Sequence, residues 1–181
     1  NGYNRIKIKY TIPPNNSTSA IVLLNKNSGD STTFTINPAK SGLMDSVILD
    51  NLREGSYRYN IYTLNKENVP SIKQEYNFKT YGEVYKNSLT NLTVRSQNIV
   101  ANSKNIQIIF FRDNSSLLAQ SKFEYTNNNN LLTKFEVKNP TDTIILKDYK
   151  KGTDIMMLNG FLPNTSAFDT IYTPLKKVLL P

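Results

Sequence analysis

The stretch VILDNLREGSYRYNIY, residues 47–62, has the pattern of a strand, a tight turn and a second strand. Gly55 follows the turn, and glycine adopts a positive φ easily, which suits a corner between two strands. Tyr57, Tyr59 and Ile61 then alternate with polar residues, and this period of two predicts a strand with one buried face. The stretch therefore predicts two consecutive β-strands joined by a corner.

Tyr57 opens the second of these strands directly after the corner. The tyrosine corner of immunoglobulin-like sandwiches lies at this place, with its hydroxyl bonded to backbone a few residues upstream. Alternatively, Tyr57 and Tyr59 are simply core aromatics, because tyrosine is a good strand former on any sheet. In both interpretations Tyr57 should be buried, and the partner of its hydroxyl distinguishes the two.

A related pattern, IILKDYKKG, returns at residues 144–152. Gly152 lies 97 residues after Gly55, and Ile144 lies 97 residues after Val47. If the two patterns are structural equivalents, both glycines should lie at bends between strands and have a positive φ. Gly→Val should then be costly at both positions.

The first strand of each half also repeats. RIKIKY at residues 5–10 resembles NIQIIF at residues 105–110, with an offset of 100. Two copies of about 90 residues match the size of a single sandwich domain, about 100 residues. Since an internal repeat sets the domain count, we predict two domains, residues 1–82 and 83–181.

The repeat register places Asp154 at the position of Tyr57. A lone carboxylate in a core is too costly, so we expect Asp154 on the surface. Ile155 or Met156 should then take the core position through a shift of one residue. The second copy therefore lacks the predicted tyrosine corner.

Other alternating or apolar stretches predict the remaining strands. They are residues 5–12, 20–24, 32–36 and 72–78 in the first copy, and 94–100, 106–111, 117–126, 131–137, 143–146, 155–158 and 168–173 in the second. Residues 80–92 should form a short, fairly stiff connection. The chain as a whole should have almost no helix beyond one turn. Asn159-Gly160 is a strong turn signal. The tail, residues 176–181, contains the apolar residues 178–180 and should either continue into a further domain or pack back on the second.

The chain of 181 residues contains no cysteine and no histidine. The lack of cysteine excludes disulfides and thiolate metal sites, and the lack of histidine removes the usual general base and most zinc sites. A carboxylate pair could still support glycoside hydrolysis, but the 14 acidic residues mostly lie beside turns or on alternating strands, as solvated surface residues do. We predict no catalytic residues, no metal and no cofactor.

The formal net charge of +8 is evenly spread. Residues 1–82 carry 10 basic and 6 acidic side chains, and residues 83–181 carry 12 and 8, so each half has a net charge of +4. Because a nucleic-acid binder concentrates its basic residues, we predict no nucleic-acid partner. No apolar run approaches the roughly 18 residues of a membrane span, so we predict no transmembrane segment. The chain starts in a domain-like sequence, which suggests a processed or truncated form.

Two runs, LDNLREGSYRYNIYTLN at residues 49–65 and FKTYGEVYKNSLTNLTV at residues 78–94, resemble an uncharacterised family of exported Bacteroides proteins. The family pattern combines an NL-x-EG-x-Y corner, a YG-x-x-Y linker and an L-x-N continuation. The matching residues here are Asn51, Leu52, Glu54, Gly55, Tyr57, Tyr81, Gly82, Tyr85, Leu89 and Asn91. The chain departs from the pattern at residues 23–25, where the family tends to have a tryptophan, and at Leu92, often an arginine there.

The resemblance implies an all-β fold with two tandem immunoglobulin- or fibronectin-type-III-like β-sandwich domains. It also implies an exported protein at the cell surface or anchored to the outer membrane as a lipoprotein, with a periplasmic location as the alternative. Family members are often followed by a carbohydrate-binding-type domain. The family has no assigned activity, so no catalytic residues carry over.

Two functional hypotheses remain. The first is a non-enzymatic spacer or interaction module, whose partner is another envelope protein. The second is a glycan-binding accessory module of a polysaccharide-utilisation system, whose partner is a surface glycan. Tyr81 and Tyr85 are the only ligand-binding candidates, and their alternative role is packing between the two domains. We expect a monomer.

Overall fold

Strands dominate both halves of the chain in the computed structural model, which describes residues 1–14, 17–111 and 117–179. The chain divides into two compact units, Asn1–Glu83 and Val84–Pro181, each described below by itself. The predicted all-β fold is confirmed, and every strand pair in the described residues is antiparallel.

The first unit is a sandwich of two sheets. Its strands are β1 (Ile6–Thr11), β2 (Thr18–Asn25), β3 (Ser31–Thr35), β4 (Met44–Leu49), β5 (Gly55–Asn65) and β6 (Gln74–Thr80). One sheet pairs β1 with β4, and the other has the order β3-β2-β5-β6. A 3-10 turn, Pro38–Lys40, precedes β4. Both sheets contribute to the buried core, which contains Ile6, Ile8, Val47 and Leu49 from one and Ile21, Leu23 and Tyr59 from the other.

The second unit has the same plan. A short helix, α1 (Glu83–Ser88), spans the boundary between the units. The strands are β7 (Val94–Ile99), β8 (Ile106–Phe110), β9 (Leu118–Thr126), β10 (Leu132–Lys138), β11 (Thr143–Leu146), β12 (Ile155–Phe161), β13 (Ile171–Tyr172) and β14 (Lys176–Lys177). One sheet has the order β11-β8-β7, and the other has the order β10-β9-β12-β13, with β14 also paired to β12. Residues of both sheets share one core, which includes Ile106, Ile108, Ile144 and Leu146 from one and Phe123, Tyr125, Ile155 and Met157 from the other.

The cross-strand partners confirm the register of the repeat. Ile6 of β1 lies opposite Leu49 of β4, and Ile106 of β8 lies opposite Leu146 of β11. Ile106 lies 100 residues after Ile6, and Leu146 lies 97 residues after Leu49. These are the two offsets predicted from the sequence. All four side chains are buried. The two units therefore build this part of their cores from equivalent positions.

The backbone of the corner is also equivalent in the two units. Asn51 and Asp148, 97 residues apart, have left-handed backbones with φ of 58° and 53°. Asparagine and aspartate tolerate this conformation better than most residues. Gly55 and Gly152 have φ of 157° and 83°, so the prediction of a positive φ at both glycines is confirmed.

The tyrosine corner is present in the first unit. The Tyr57 hydroxyl donates to the carbonyl oxygen of Arg53, 2.9 Å away and four residues upstream, which confirms the tyrosine-corner interpretation. The expectation that Tyr57 is buried is wrong, because its side chain is only partly covered. Tyr59, 3% exposed, occupies the core instead.

The predicted surface position of Asp154 and core position of Ile155 are confirmed, although the core position is that of Tyr59 and not that of Tyr57. Asp154 is exposed and its carboxylate lies 2.6 Å from the Lys177 ammonium. Ile155 is 1% exposed and takes the core position that Tyr59 has in the first unit. Tyr59 follows its corner glycine by four residues, and Ile155 follows Gly152 by three.

The predicted turn at Asn159-Gly160 is wrong, because both residues lie inside β12. A side chain at Gly160 would have its Cβ 2.6 Å from Thr170 Cγ2 and 2.8 Å from Tyr172 Cε1. Glycine is therefore required there by close packing rather than by a turn. Asn159 is fully buried and acts as a hydrogen-bonding residue of the core, as described below.

The structure refines three further predictions. The expectation of almost no helix is confirmed for the described residues, although helix α1 has six residues, about 1.7 turns at 3.6 residues per turn, and so slightly exceeds one turn. The strand expected at residues 168–173 is only the two-residue β13, since most of the segment is irregular. The tail packs back through Val178, which is 5% exposed, whereas Leu179 is 81% exposed. Leu180 and Pro181, the last two residues of that tail, lie outside the described residues.

Candidate interaction sites

Tyr81, the first of the predicted ligand-binding residues, lies in the first unit directly after β6 and is 7% exposed. Its amide donates to the carbonyl of Gly2 at 3.0 Å, and its carbonyl accepts from the amide of Asn4 at 2.7 Å. The Lys79 ammonium lies 5.4 Å from the centroid of its ring. Tyr81 thus ties the N-terminal residues to the end of β6, and little of its ring is left to stack on a sugar.

Tyr85, the second predicted residue, belongs to the other unit. It lies on α1 and its side chain is partly exposed. Its carbonyl oxygen accepts a hydrogen bond from Ser88 Oγ at 2.6 Å. Since the two tyrosines lie in different units, neither unit by itself brings them together.

A groove of about 580 Å³, here called the amide groove, lies on the first unit beside β5 and β6. It is lined by Asn1, Asn27, Ser56, Tyr57, Arg58, Asn77, Phe78 and Lys79. Arg58 and Asn77 are direct cross-strand partners, so their side chains share one face of the sheet. Amide, guanidinium and ammonium groups donate hydrogen bonds, and the groove therefore suits a ligand rich in oxygen acceptors.

The sequence alone did not reveal the amide groove. Alternation places Arg58 on the face of β5 opposite Tyr57 and Tyr59. The neighbouring Asn77 depends on the β5–β6 register, and Asn27 depends on how the β2–β3 turn reaches β5. Nothing local in the sequence specifies either relationship.

A second groove, of about 440 Å³, lies on the second unit along β9, β10 and β12. Its rim carries two cross-strand ion pairs, Lys134 Nζ to Glu124 Oε1 at 2.8 Å and Lys122 Nζ to Glu136 Oε2 at 3.7 Å. The Lys122 ammonium also lies 4.7 Å from the centroid of the Tyr172 ring. Because the charges of this face, here called the charged ladder, largely neutralise one another, it offers less net attraction to an ionic ligand than the amide groove.

Two carboxyl groups have a lowered pKa. A hydrogen bond from the Lys40 ammonium at 2.9 Å, helped by the Ser46 amide, lowers the pKa of Asp45. A hydrogen bond from Lys26 at 2.6 Å does the same for the pKa of Glu75. A lowered pKa keeps a carboxyl ionised, so both groups are ion-pair partners and are poorly suited to donate a proton.

Buried tyrosines have the opposite shift. Burial raises the pKa of Tyr125, whose hydroxyl donates to the Lys147 carbonyl at 2.8 Å, and the nearby Asp148 raises it further. Burial likewise raises the pKa of Tyr59. Both hydroxyls therefore stay protonated at neutral pH.

Within residues 1–14, 17–111 and 117–179, no three histidine, cysteine, aspartate or glutamate side chains are grouped so that they could hold a metal ion. In the same ranges, no helix has the length and apolar character that crossing a membrane requires.

Residues 1–171 match the family DUF4998, which is described as a domain of unknown function. No curated protein sequence matches the chain.

Several solved structures resemble the chain at low sequence identity. The FN1–FN3 domains of chicken CNTN1 are 11% identical over 98% of this chain, with a TM-score of 0.47, and the chain spans 63% of that segment. The fibronectin(III)-like modules of Clostridium thermocellum CbhA are 10% identical over 98% of this chain and 85% of that one, with a TM-score of 0.42. A two-domain fibronectin type III segment of chicken tenascin is 10% identical over 99% of this chain and 93% of that one, with a TM-score of 0.34.

Proposed function

The chain belongs to the DUF4998 family of domains of unknown function, and we propose that it acts as a non-enzymatic spacer or interaction module. The observation that carries this proposal is the repeated corner, which each unit braces with a hydrogen bond from a tyrosine hydroxyl to backbone. Such braces favour a rigid frame on which surface loops and edges can vary. The modules would be the two domains expected from the sequence, residues 1–82 and 83–181.

A buried polar network in the second unit supports the same role. Asn159 Nδ2 donates to Ser121 Oγ at 2.6 Å, and Asn159 Oδ1 accepts from the amide of Leu92 at 2.9 Å. The backbone amide of Asn159 donates both to Thr173 Oγ1, at 2.9 Å, and to Asn91 Oδ1, at 3.1 Å. Fully satisfied buried networks hold a structure in one arrangement. This one fixes the segment ahead of β7 to β12 and β9.

The proposed location is outside the cytoplasm, at the cell surface or anchored to the outer membrane, with the periplasm as the alternative. The support is the resemblance of the corner and linker motifs to exported proteins. Protease treatment of intact cells that express the natural protein tests this. Cleavage without cell lysis is expected at the surface, and cleavage only after the outer membrane is opened would indicate the periplasm.

Pulling on single molecules tests the spacer role. We expect two separate unfolding events, one for each unit, in the manner of rigid modules linked in series. A gradual extension without distinct events would contradict the proposal. So would release of product from any polysaccharide by the purified chain, since a spacer has no turnover.

The amide groove favours a second candidate function, glycan binding. Its amides, cations and neighbouring aromatic rings are the groups that bind sugar hydroxyls and carboxylates. In this alternative Arg58 and Asn77 contribute hydrogen bonds, and Tyr85 is a stacking candidate on the other unit.

Calorimetric titration with soluble polysaccharides tests glycan binding. The variant Arg58→Ala/Asn77→Ala should lose binding, whereas the control Lys134→Ala in the charged ladder should keep it. Binding that survives the double substitution would place any glycan site elsewhere.

A further inference from the structure

One sheet edge lies open at the same place in both units. The larger sheets have the orders β3-β2-β5-β6 and β10-β9-β12-β13, so β3 and β10 are equivalent edge strands. In the described residues β3 pairs only with β2, and β10 pairs only with β9. The chain enters β10 from β9 and leaves it for β11, so this edge follows from the plan of the sandwich and not from the position of the chain ends.

Backbone groups of β10 point alternately to β9 and to the open edge. The Asn127 amide donates to the Leu131 carbonyl at 2.9 Å, and the Asn139 amide donates to the Ala119 carbonyl at 2.7 Å. Because Leu131 and Asn139 flank β10, its odd-numbered residues face β9 and its even-numbered residues face the open edge. The amides and carbonyls that point outward therefore belong to Leu132, Lys134, Glu136 and Lys138.

Charges of opposite sign alternate among these outward-facing residues. Lys134 and Glu136 each form an ion pair with β9, Lys134 with Glu124 at 2.8 Å and Glu136 with Lys122 at 3.7 Å. Gln120 also donates to the Glu136 carboxylate. The Lys134 and Glu136 side chains remain 73% and 46% exposed. Both charges are thus held beside the edge and can still take a second partner.

The edge is complementary to a second copy of itself in one antiparallel register. When a two-fold axis passes between the two copies of Phe135, Lys134 of each copy lies opposite Glu136 of the other. Both residues face outward, so they form hydrogen-bonded pairs, whereas the two Phe135 residues form the closer, non-hydrogen-bonded pair. Such a self-complementary contact is the commonest way in which two identical chains associate.

The pairing would continue the charged ladder from one copy into the other. Within one copy, Glu124 lies opposite Lys134, and Lys122 lies opposite Glu136. Across the edge, the row that starts at Glu124 and Lys134 would continue to Glu136 and Lys122 of the second copy, so the signs keep alternating. Opposite charges directly across from each other stabilise a strand pair, and the like charges are left on diagonals about 7–8 Å apart.

The same charges disfavour other registers. A shift of two residues brings Lys134 opposite Lys134 of the second copy, or Glu136 opposite Glu136, and like charges at directly opposite positions are destabilising. Edge lysines commonly prevent strand addition, and here they oppose pairings that place no carboxylate across from them. The equivalent strand β3, with the sequence STTFT, carries no charge and therefore specifies no register.

Apolar surface beside the edge would be covered as well. Leu132 is 65% exposed, and in this register it lies opposite Lys138 of the second copy, whose methylene stem can cover it. Phe135 packs on the core, with its ring centroid 6.4 Å from that of Phe123. The pair of Phe135 residues would extend this aromatic contact across the two-fold axis.

We propose that β10 is a dimerisation edge, which pairs antiparallel with β10 of a second copy through Lys134 and Glu136 about a two-fold axis at Phe135. A partner of another sequence would need the same alternation of charge, whereas a second copy supplies it by symmetry. The proposal replaces the monomer expected from the sequence, because the direction of the backbone groups and the alignment of the charges arise only in the folded sheet. The spacer role does not depend on this edge, so pulling on single molecules and the experiments below can fail separately.

Sedimentation of the whole chain, at concentrations up to about 1 mM so that a weak dimer is populated, tests the proposal. Lys134→Glu and Glu136→Lys should each raise the Kd of the dimer about tenfold or more, because each places like charges across the edge. An equimolar mixture of the two variants should restore dimerisation, since the glutamates of one then face the lysines of the other. Restoration would also show that both variants fold. Lys104→Glu, at an exposed position in the turn between β7 and β8, is the control and should leave the Kd unchanged.

A single introduced cysteine tests the register, because the chain contains no cysteine of its own. Phe135→Cys should cross-link two copies under mild oxidation, since the Cα atoms of a non-hydrogen-bonded pair lie about 4.5 Å apart, within the range of a disulfide. Thr133→Cys should not cross-link, because Thr133 would lie opposite residue 137 of the second copy. A chain that stays monomeric, whatever else covers β10, would overturn the proposal. So would a mixture of the charge variants that does not dimerise, or equal cross-linking at both cysteine positions.

Discussion

The hydroxyl of Tyr149 donates a hydrogen bond to the carbonyl oxygen of Thr153, 2.5 Å away and four residues downstream. In the first unit the Tyr57 hydroxyl makes the reverse connection, to the Arg53 carbonyl four residues upstream. Each bond spans the corner of its own unit, and the offset of 97 residues makes the two corners equivalent. The second copy thus keeps the brace, although the tyrosine that supplies it lies on the other side of the bend.

Removing either hydroxyl should weaken its unit. Tyr57→Phe and Tyr149→Phe should each lower the free energy of unfolding by about 0.5–1.5 kcal/mol, the usual net value of one hydrogen bond. Chemical denaturation measures the change. Tyr76→Phe is the matched control, because the Tyr76 hydroxyl donates to the Gln74 side chain on the surface and not to a corner. If all three variants have the same small effect, the corner bonds do not stabilise the units.

The corner glycines should resist β-branched side chains for conformational reasons. A Cβ at Gly55 or Gly152 would meet nothing within 4 Å, so the cost of valine comes from the positive φ and not from a clash. Gly→Val should cost about 1–3 kcal/mol at each position. Gly152→Asn should cost less, because asparagine tolerates φ near 83° better than valine does. Equal costs for valine and asparagine at residue 152 would contradict this explanation.

Asn159 should be essential to the second core. Asn159→Ala would leave the Leu92 amide and the Ser121 hydroxyl without their partner, and an unpaired buried group costs about 1–3 kcal/mol. Exchange protection of the Leu92 amide should fall as well. Asn98→Ala, at an exposed position, should change stability by no more than about 0.5 kcal/mol. Retained protection at Leu92 would mean that the network does not hold this segment.

The raised pKa of Tyr125 should make the second unit sensitive to alkali. A folded pKa above the unfolded value of about 10 means that the folded state binds more protons, so stability is present below pH 10 and declines as the pH rises through the folded pKa. In Tyr125→Phe the free energy of unfolding should fall less steeply between pH 9 and pH 11, roughly one unit on either side of that value. Parallel curves for the two proteins would show that Tyr125 does not contribute to this dependence.

Local sequence was sufficient where packing and backbone preference agree. Alternation located β1, β4 and β5, and the offsets of 100 and 97 predicted which residues lie opposite one another. Asp154 could be placed on the surface because a lone buried carboxylate is too costly.

Long-range contacts explain the failures. Asn159-Gly160 has the composition of a turn, but Thr170 and Tyr172 pack over the glycine and a buried network holds the asparagine. The amide groove depends on strand pairing between distant segments, and the sequence of the short helix α1 has no apolar periodicity that would reveal the helix.

A crystal structure of the chain, with its two units superposed, tests most directly whether they are copies of one sandwich. We expect Ile6 to coincide with Ile106, Leu49 with Leu146, and Tyr59 with Ile155, while Asp154 points to solvent. If Asp154 instead superposes on Tyr57 as an inward-facing residue, or if Gly55 and Gly152 fall at different places in their units, the units are not equivalent copies.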